Sequence, residues 1–354
     1  MRSVKTLNKP LVTIDDVAKL ANVSTATISR AINKPEIVSD KLKRKIDTVI
    51  KKSGYIPNAG ARTLMLKKSG SIGAIVPTLD NAIFAQGLSE FQRQLSKSGY
   101  QMLVASTNYD PETESNQIRN LLLQGVEGIA MFGASQKRDA LKLLKTRQLP
   151  YIHVGTLDVP LNGFASGYDN KKVIQLGTQY LINQGHKRFG MIAGITQNND
   201  RATDRVIGVI QILKQYGINL KKELVIEVPY QINDARQALQ TLLKNDPKIT
   251  AIICGQDILA IGALLEAQSL KITVPDQISI IGFDDLEICR HMQPSLSSIH
   301  LDSVAMWSKA ADHLIAQING AEKIPKKILV DANLVIRNST AKPRKTNNLF
   351  IRSK

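Results

Sequence analysis

Apolar positions fall into two textures along this chain, and the change comes near residue 70. Before it, short helical patterns alternate with breakers. Thr13-Ile14-Asp15-Asp16 reads as a capping box, a Thr N-cap with an acid three residues later. The helix it starts places Ile14, Val17, Ala18 and Ala21 on one face. Ala21-Asn22-Val23 predicts a tight turn, and Ser24 caps a second helix over 25–32 that ends near Asn33-Lys34-Pro35. Val23 and Ile28 are the expected anchors between the two. Ser39 is expected to cap a third helix, whose Leu42, Ile46, Val49 and Ile50 pack beneath the others. Two short helices joined this tightly predict a helix-turn-helix.

From Ser71 onward, short apolar runs alternate with amphipathic stretches. The runs at 72–76, 102–105, 128–132, 151–154, 189–193, 251–254 and 278–283 have the length and content of buried parallel strands. Helical periodicity lies between them, at 84–98, 113–124, 171–184, 203–216, 234–244 and 258–269. This alternation predicts a doubly wound α/β fold. About eleven strands are more than one open sheet usually carries, so two lobes are expected, with a cleft beyond the carboxyl ends of the strands.

Charge changes the picture of the first part. The chain carries a net +17, unevenly spread. Residues 1–69 hold 15 Lys/Arg against 5 Asp/Glu, residues 322–354 hold 9 against 2, and residues 70–321 hold 23 against 23. A basic helical module on a neutral body points to a polyanion partner for that module. The residues from Ala341 onward are basic without apolar periodicity and are expected to be a disordered tail.

Other classes are disfavoured. There is no GxGxxG, Walker or GxSxG pattern, and the five histidines show no HExxH or metal-ligand spacing, so neither an enzyme, a cofactor nor a metal is expected. His186 is expected as a core or helix-end histidine. No apolar run is long enough to span a bilayer, and no apolar stretch follows the basic start as in a secretory leader. Cys254 and Cys289 form no CxxC and read as reduced thiols. A cytoplasmic protein, without membrane contact, is the expectation. A transport binding protein would share the body but should carry a leader instead of the helix-turn-helix.

The exposed side of the second helix, Thr25, Ala26, Thr27, Ser29 and Arg30, is expected to meet base edges and phosphates of double-stranded DNA. Ordered motifs over almost the whole chain then narrow this reading. Thr13-Ile14-Asp15-Asp16-Val17-Ala18, Val23 to Arg30, Asn33, Val38-Ser39, Gly54-Tyr55-Ile56-Pro57-Asn58 and Ala61-Arg62-Thr63-Leu64 resemble the lactose/purine repressor family of bacterial transcription regulators. In the body, Gly185-His186, Arg205-Val206-Ile207-Gly208, Val274-Pro275-Asp276 and Ile281-Gly282-Phe283-Asp284-Asp285 extend the resemblance. It implies a helix-turn-helix domain at 12–57, a hinge helix and linker at 58–69, a two-lobed periplasmic-binding-protein-like core at 70–340, and the tail at 341–354. Implied DNA-binding residues are Thr13, Ser24, Thr25, Ala26, Thr27, Ser29, Arg30, Asn33, Tyr55, Asn58, Ala61, Arg62 and Leu64.

The resemblance also implies a homodimer on a near-palindromic operator, and a hinge that folds only there. The segment 58–66 is shorter than the ~12 residues an isolated helix needs, and Gly60 weakens it further. Leu64 matches the leucine that wedges into a base step from the minor groove; its other reading is a core residue. Met65 replaces the basic residue some relatives carry. No heptad pattern follows residue 340, so a dimer is expected rather than a tetramer.

For the cleft, the resemblance implies effector contacts from Asn81, Phe84, Arg205, Gln256, Asp257 and Asp284. Arg205 offers a fork for a carboxylate or paired hydroxyls, the two aspartates accept from hydroxyls, and Phe84 stacks on an apolar ring face. Asp257 could instead cap the following helix, and Arg205 could simply pair with Asp204 or Asp284. Gln256 stands where many relatives have Asn, and Gly155 where some have an acid. Residues 78–86 look more like gluconate-type members than purine-responsive ones. The expected effector is therefore a sugar or sugar acid, and the expected role is repression of carbohydrate or sugar-acid utilisation genes.

Overall fold

The computed structural model describes residues 12–57 and 68–344, and the chain divides at Ser69/Gly70 into two compact units. The first unit is helical: α1 (Ile14–Ala21), α2 (Thr25–Asn33) and α3 (Asp40–Ser53). Thr13 closes the capping box on α1, accepting from the Asp16 amide at 3.3 Å while its own amide donates to Asp16 Oδ2 at 2.9 Å. Asn22 ends α1 at φ 51°, a left-handed turn that Asn tolerates better than most residues. Ser24 caps α2 by accepting from the Thr27 amide at 3.2 Å. Ser39 departs from expectation. It occupies the N-cap position of α3 but its side chain makes no capping bond. Val17, Ala21, Ile28 and Ile46 are fully buried, with Val23, Leu42, Val49 and Ile50 packed around them.

The second unit contains two six-stranded sheets. The N-lobe sheet is formed by β1 (Ser71–Val76), β2 (Gln101–Ser106), β3 (Ile129–Phe132), β4 (Tyr151–Val154), β5 (Ala165–Gly167) and β11 (Lys327–Leu329), in the order β11-β5-β4-β3-β1-β2. The C-lobe sheet is formed by β6 (Phe189–Gly194), β7 (Val225–Val228), β8 (Ala251–Cys254), β9 (Ser279–Asp284), β10 (Ser297–Leu301) and β12 (Ala332–Val335), in the order β12-β10-β9-β8-β6-β7. All pairings are parallel except β10 with β12. Helices α4 (Ala82–Lys97), α5 (Pro111–Leu123) and α6 (Arg138–Thr146) belong to the N-lobe, and α7 (Asn170–Asn183), α8 (Asp200–Gln215), α9 (Ile232–Asn245) and α10 (Asp257–Ser269) to the C-lobe. The chain passes to the C-lobe after β5. It returns to the N-lobe for α11 (Ser303–Ile318) and β11, and ends with β12.

The strands β4, β6, β8 and β9 are buried along their length and β1 in all but its first residue, whereas the run expected to be buried at 102–105 is β2, a half-exposed edge strand. The strands with no clear apolar run are edge strands such as β7, β11 and β12, half-exposed along their length, or β5, which is Ala-Ser-Gly. Edge position removes the pressure for a continuous apolar sequence. The expected disordered tail is corrected at its start. The Ala341 amide donates to Ser279 Oγ at 3.0 Å, its carbonyl meets His186 Nε2 at 2.9 Å, and Arg344 pairs with Asp276 at 2.8 Å. Buried polar partners on β9 and at His186 hold 341–344 down; residues 345–354 lie outside the described residues. His186, with Nδ1 on Thr250 Oγ1, is structural. No helix among the described residues is long and apolar enough to cross a membrane.

Candidate functional site

On the helical unit, Thr13, Ser24, Ala26 and Arg30 are exposed, while Thr25, Thr27, Ser29 and Asn33 are half-buried. Ser24 and Thr27 hydroxyls lie 2.9 Å apart, and Asn33 Nδ2 donates to Ser29 Oγ at 3.3 Å. The N-terminal turn of α2 is therefore a small, hydroxyl-rich surface with Ala26 and Arg30 outermost. Tyr55 packs against the helical core. Asn58, Ala61, Arg62 and Leu64 lie outside the described residues.

In the second unit, Phe84, Arg205, Gln256 and Asp284 line one narrow recess between the lobes, beyond the carboxyl ends of the strands, with a free volume of about 20 Å³. Asn81 sits at its rim. It caps α4, and its Nδ2 donates across the cleft to Gln256 Oε1 at 2.9 Å. Arg205 is 5% exposed. Its guanidinium donates to Asn170 Oδ1 (3.1 Å) and the Tyr230 hydroxyl (3.3 Å) and lies over the Phe283 ring at 4.7 Å. It makes no ion pair with Asp204, which holds Lys171 at 3.1 Å. Burial works against the Arg205 charge, but Tyr230, Asp284 and Tyr168 more than offset it and hold the group protonated.

Asp284 ends β9 and Asp285 follows it, at φ 115° and 56°, two consecutive positive-φ residues without a glycine. Such strain persists only where surrounding structure enforces it. It parts the two carboxylates. Asp284 enters the recess, and Asp285 pairs with Arg337 at 2.7 Å and His300 Nδ1 at 3.2 Å. Burial, followed by the nearby Asp257 carboxylate, pushes the Asp284 carboxyl well above its ordinary range, against the pull of Arg205 and Gln256.

Asp257 corrects an expected effector contact. It is fully buried, and its carboxylate accepts from Ser298 Oγ (2.6 Å), the Leu286 amide (2.7 Å) and Cys289 Sγ (3.1 Å). It neither faces the recess nor caps α10; it ties the start of that helix to the segments after β9 and in β10. Burial raises its pKa to about 6.

Seven further residues complete the recess: Ile83, Tyr109, Phe132, Tyr168, Asn199, Arg201 and Tyr230. None was singled out in the sequence, yet signals existed. Arg201 precedes Arg205 by four residues, hence on the same helix face. Tyr109, Tyr168 and Tyr230 each follow the end of a strand, where ligands of open sheets bind. Arg201 pairs with Asp200 at 2.8 Å and lies over the Phe132 ring at 4.7 Å.

The assembly is a buried cation, an acceptor and aromatic walls between two lobes, carried by a chain with a capped helix-turn-helix. Residues 69–338 match the family described as periplasmic binding proteins and sugar binding domain of the LacI family, and residues 13–58 match the bacterial regulatory proteins of the lacI family. The chain belongs to the LacI family. As a LacI-family protein it is a DNA-binding transcriptional regulator; members of this family are repressors that bind operator DNA and small-molecule effectors and act as dimers. It is similar to the transcriptional repressor PurR of Mannheimia succiniciproducens, 30% identical over 343 residues, 94% of this chain and 99% of that protein. PurR of Pasteurella multocida is 31% identical over 339 residues, 93% of this chain and 98% of that one. Among solved structures, the transcription regulator GntR from Chromobacterium violaceum superimposes with a TM-score of 0.72 at 25% identity, covering 76% of this chain and 99% of that one. The lac repressor dimer bound to operator and the anti-inducer ONPF shares the fold, with a TM-score of 0.83 at 24% identity over 94% of this chain and 99% of that one.

Proposed function

We propose that this LacI-family regulator represses carbohydrate or sugar-acid utilisation genes in the bacterial cytoplasm and is controlled by a sugar or sugar acid bound at the Arg205 recess. The observation that carries the reading is a pair of orphaned atoms: Arg205 Nε and Asp284 Oδ2 are buried in the recess wall without hydrogen-bond partners. A buried donor and a buried acceptor in one recess ask for a ligand that supplies both, which adjacent hydroxyls do. Aromatic rings beside them suit the apolar face of a sugar ring. Phe84, Gln256 and Asn81 complete the contact set; Asp257 is not part of it.

In this reading the chain works as a regulator and not as an enzyme. A homodimer lays the α2 helices, with Thr25, Ala26, Thr27, Ser29 and Arg30, into successive major grooves of a near-palindromic operator. Thr13, Ser24, Asn33 and Tyr55 position the unit on the backbone. Residues 58–66, with Asn58, Ala61 and Arg62, form a hinge on DNA, and Leu64 kinks the central step. An effector that prefers one lobe arrangement shifts the population of that arrangement and with it the operator affinity.

A purine effector is the second reading, favoured by the similarity to PurR proteins and by the aromatic walls. The test is a thermal-shift panel on the full chain with sugars, sugar acids and purine bases, repeated on Arg205→Met. Operator affinity is measured on a duplex selected from random sequence. A sugar or sugar acid should raise the melting temperature of the native chain, as any ligand specific for the folded state does. Arg205→Met should lose that shift and keep operator affinity. A shift by purines alone replaces the first reading with the second, and an unimpaired shift in Arg205→Met refutes the recess as the effector site.

A further inference from the structure

The N-lobe carries an open groove at the end of its sheet away from the recess. Tyr151 begins β4, Phe164 directly precedes β5 and Lys326 directly precedes β11, and all three line the groove. It therefore lies at the amino ends of the strands, whereas the recess lies at their carboxyl ends. Its free volume is about 610 Å³, in the range of small-molecule sites, against about 20 Å³ in the recess. The apolar part of the lining is Leu149, Pro150, Leu161, Phe164 and Ile324. Leu161 is 40% exposed and sits at φ 56°, a left-handed conformation that is costly for leucine. Its carbonyl accepts from Lys145 Nζ at 3.1 Å, which ties this turn to the end of α6. The fold thus holds an apolar side chain open to the groove against both water and backbone preference. Charge sits at the edge. Lys145 and Lys326 are exposed, neither makes an ion pair among the described residues, and the lining contains no carboxylate. The last turns of α6 and α11 contribute Lys145 and Gln317 to the lining. Helix carboxyl ends carry about −0.5 of a charge each, so two lysines against two such ends leave about one positive charge.

We infer that this groove is a second small-molecule site, separate from the cleft, and that it takes an aromatic monocarboxylate. The apolar lining receives the ring system, with Phe164 and Pro150 as flat faces. The Lys145 and Lys326 ammoniums meet the carboxylate through charge-assisted hydrogen bonds. One negative charge matches the local balance. A doubly charged phosphate ester does not, and the lining offers neither an arginine fork nor the amino end of an α-helix to hold one. The inference does not depend on the Arg205 reading, since the groove and the recess share no residue.

The test is isothermal titration of the full chain with 2-naphthoate, with the neutral 2-naphthalenemethanol and with 2-naphthyl phosphate. Naphthoate should bind about 10-fold or more tighter than the alcohol, the effect of a hydrogen bond to a charged group, and tighter than the phosphate ester. Lys326→Met keeps an apolar stem and removes the charge. It should weaken naphthoate by about 3- to 10-fold and leave the alcohol unchanged. Leu161→Asn suits the left-handed turn and removes the apolar side chain, so it should weaken both ligands by about 3-fold or more. Both positions are exposed, and the melting temperature of either variant should stay close to that of the native chain. Arg205→Met should leave naphthoate binding unaltered. No naphthoate binding at millimolar concentration overturns the site, as does binding indifferent to both groove variants. Naphthoate no tighter than the alcohol, or a phosphate ester as tight as naphthoate, overturns the carboxylate assignment. Binding lost in Arg205→Met belongs to the recess and overturns the groove. Sedimentation of the native chain and Leu161→Asn checks the other occupant: an assembly that falls apart in the variant gives the groove to a second copy of this chain and overturns the ligand site.

Discussion

Gly133→Ala isolates how the two lobes meet. Gly133 follows β3 at φ 89°, a conformation that carries strain for any side chain. An added Cβ would fall 1.5 Å from Arg201 Nη1, 2.7 Å from its Cζ and 2.8 Å from Asp200 Oδ1. The C-lobe arginine therefore lies directly on the N-lobe backbone, and alanine must expel it. Three effects follow. The left-handed backbone costs about 1–2 kcal/mol in alanine. Lifting Arg201 off Phe132 forfeits about 0.5–2 kcal/mol. Disturbing its charged hydrogen bond to Asp200 costs up to about 1.5–3 kcal/mol. Reduced freedom of the unfolded chain returns about 0.4–1 kcal/mol. A net loss of about 2–6.5 kcal/mol should lower the melting temperature by roughly 4–13 °C at about 2 °C per kcal/mol for a unit of this size. Differential scanning calorimetry on the full chain reads this, and a crystal structure should show Arg201 swung away from Phe132. A melting temperature within about 1 °C of the native chain, with Arg201 still over Phe132, would refute the interlobe packing argument.

Asp257 makes a pH prediction. Its folded pKa of about 6 lies above its ordinary 3.8, so the folded state holds the proton more tightly. The stability contributed by this proton is full below the ordinary value and is lost as pH rises through about 6. Asp257→Asn should flatten that fall in denaturant titrations run between these values; an unchanged slope would show that Asp257 is not the group responsible. At the other end of the chain, Thr13→Ala removes the hydroxyl's bonds with the Asp16 amide and carboxylate, keeps the bond its own amide donates, and should cost about 1 kcal/mol. It should show as faster amide exchange in Val17–Ala21 and weaker operator binding, with the core melting unchanged; unaltered exchange would count against the cap.

The helical unit was the most legible part of the sequence, because its signals are local. The Thr13 box, the Asn22 turn and the Ser24 cap each act over three or four residues, so adjacent letters specify them. Ser39 shows the limit: the right residue at the right position makes no side-chain capping bond. The central strands β1, β6, β8 and β9 were legible as apolar runs, and so was the half-exposed edge strand β2; β7, β11 and β12 were not, since half-exposed positions need not be apolar.

The cleft divides differently. Arg205, Gln256 and Asp284 were reachable through motif and position at strand or helix ends. Asp257 followed the same logic and went the other way. Nothing in Gln256-Asp257 tells that Ser298, Cys289 and the Leu286 amide wait behind the second residue; those partners are 29 to 41 positions away. Tyr109, Phe132, Tyr168, Arg201 and Tyr230 come from both lobes and meet only because the chain crosses between the sheets. The sequence alone determined the helix-turn-helix, the α/β alternation and the placing of positive charge, since each depends on neighbours within a turn or a strand. Tertiary structure decided which carboxylate faces the cleft and which arginine lies against a glycine, because those depend on side chains that only folding brings within a few ångströms.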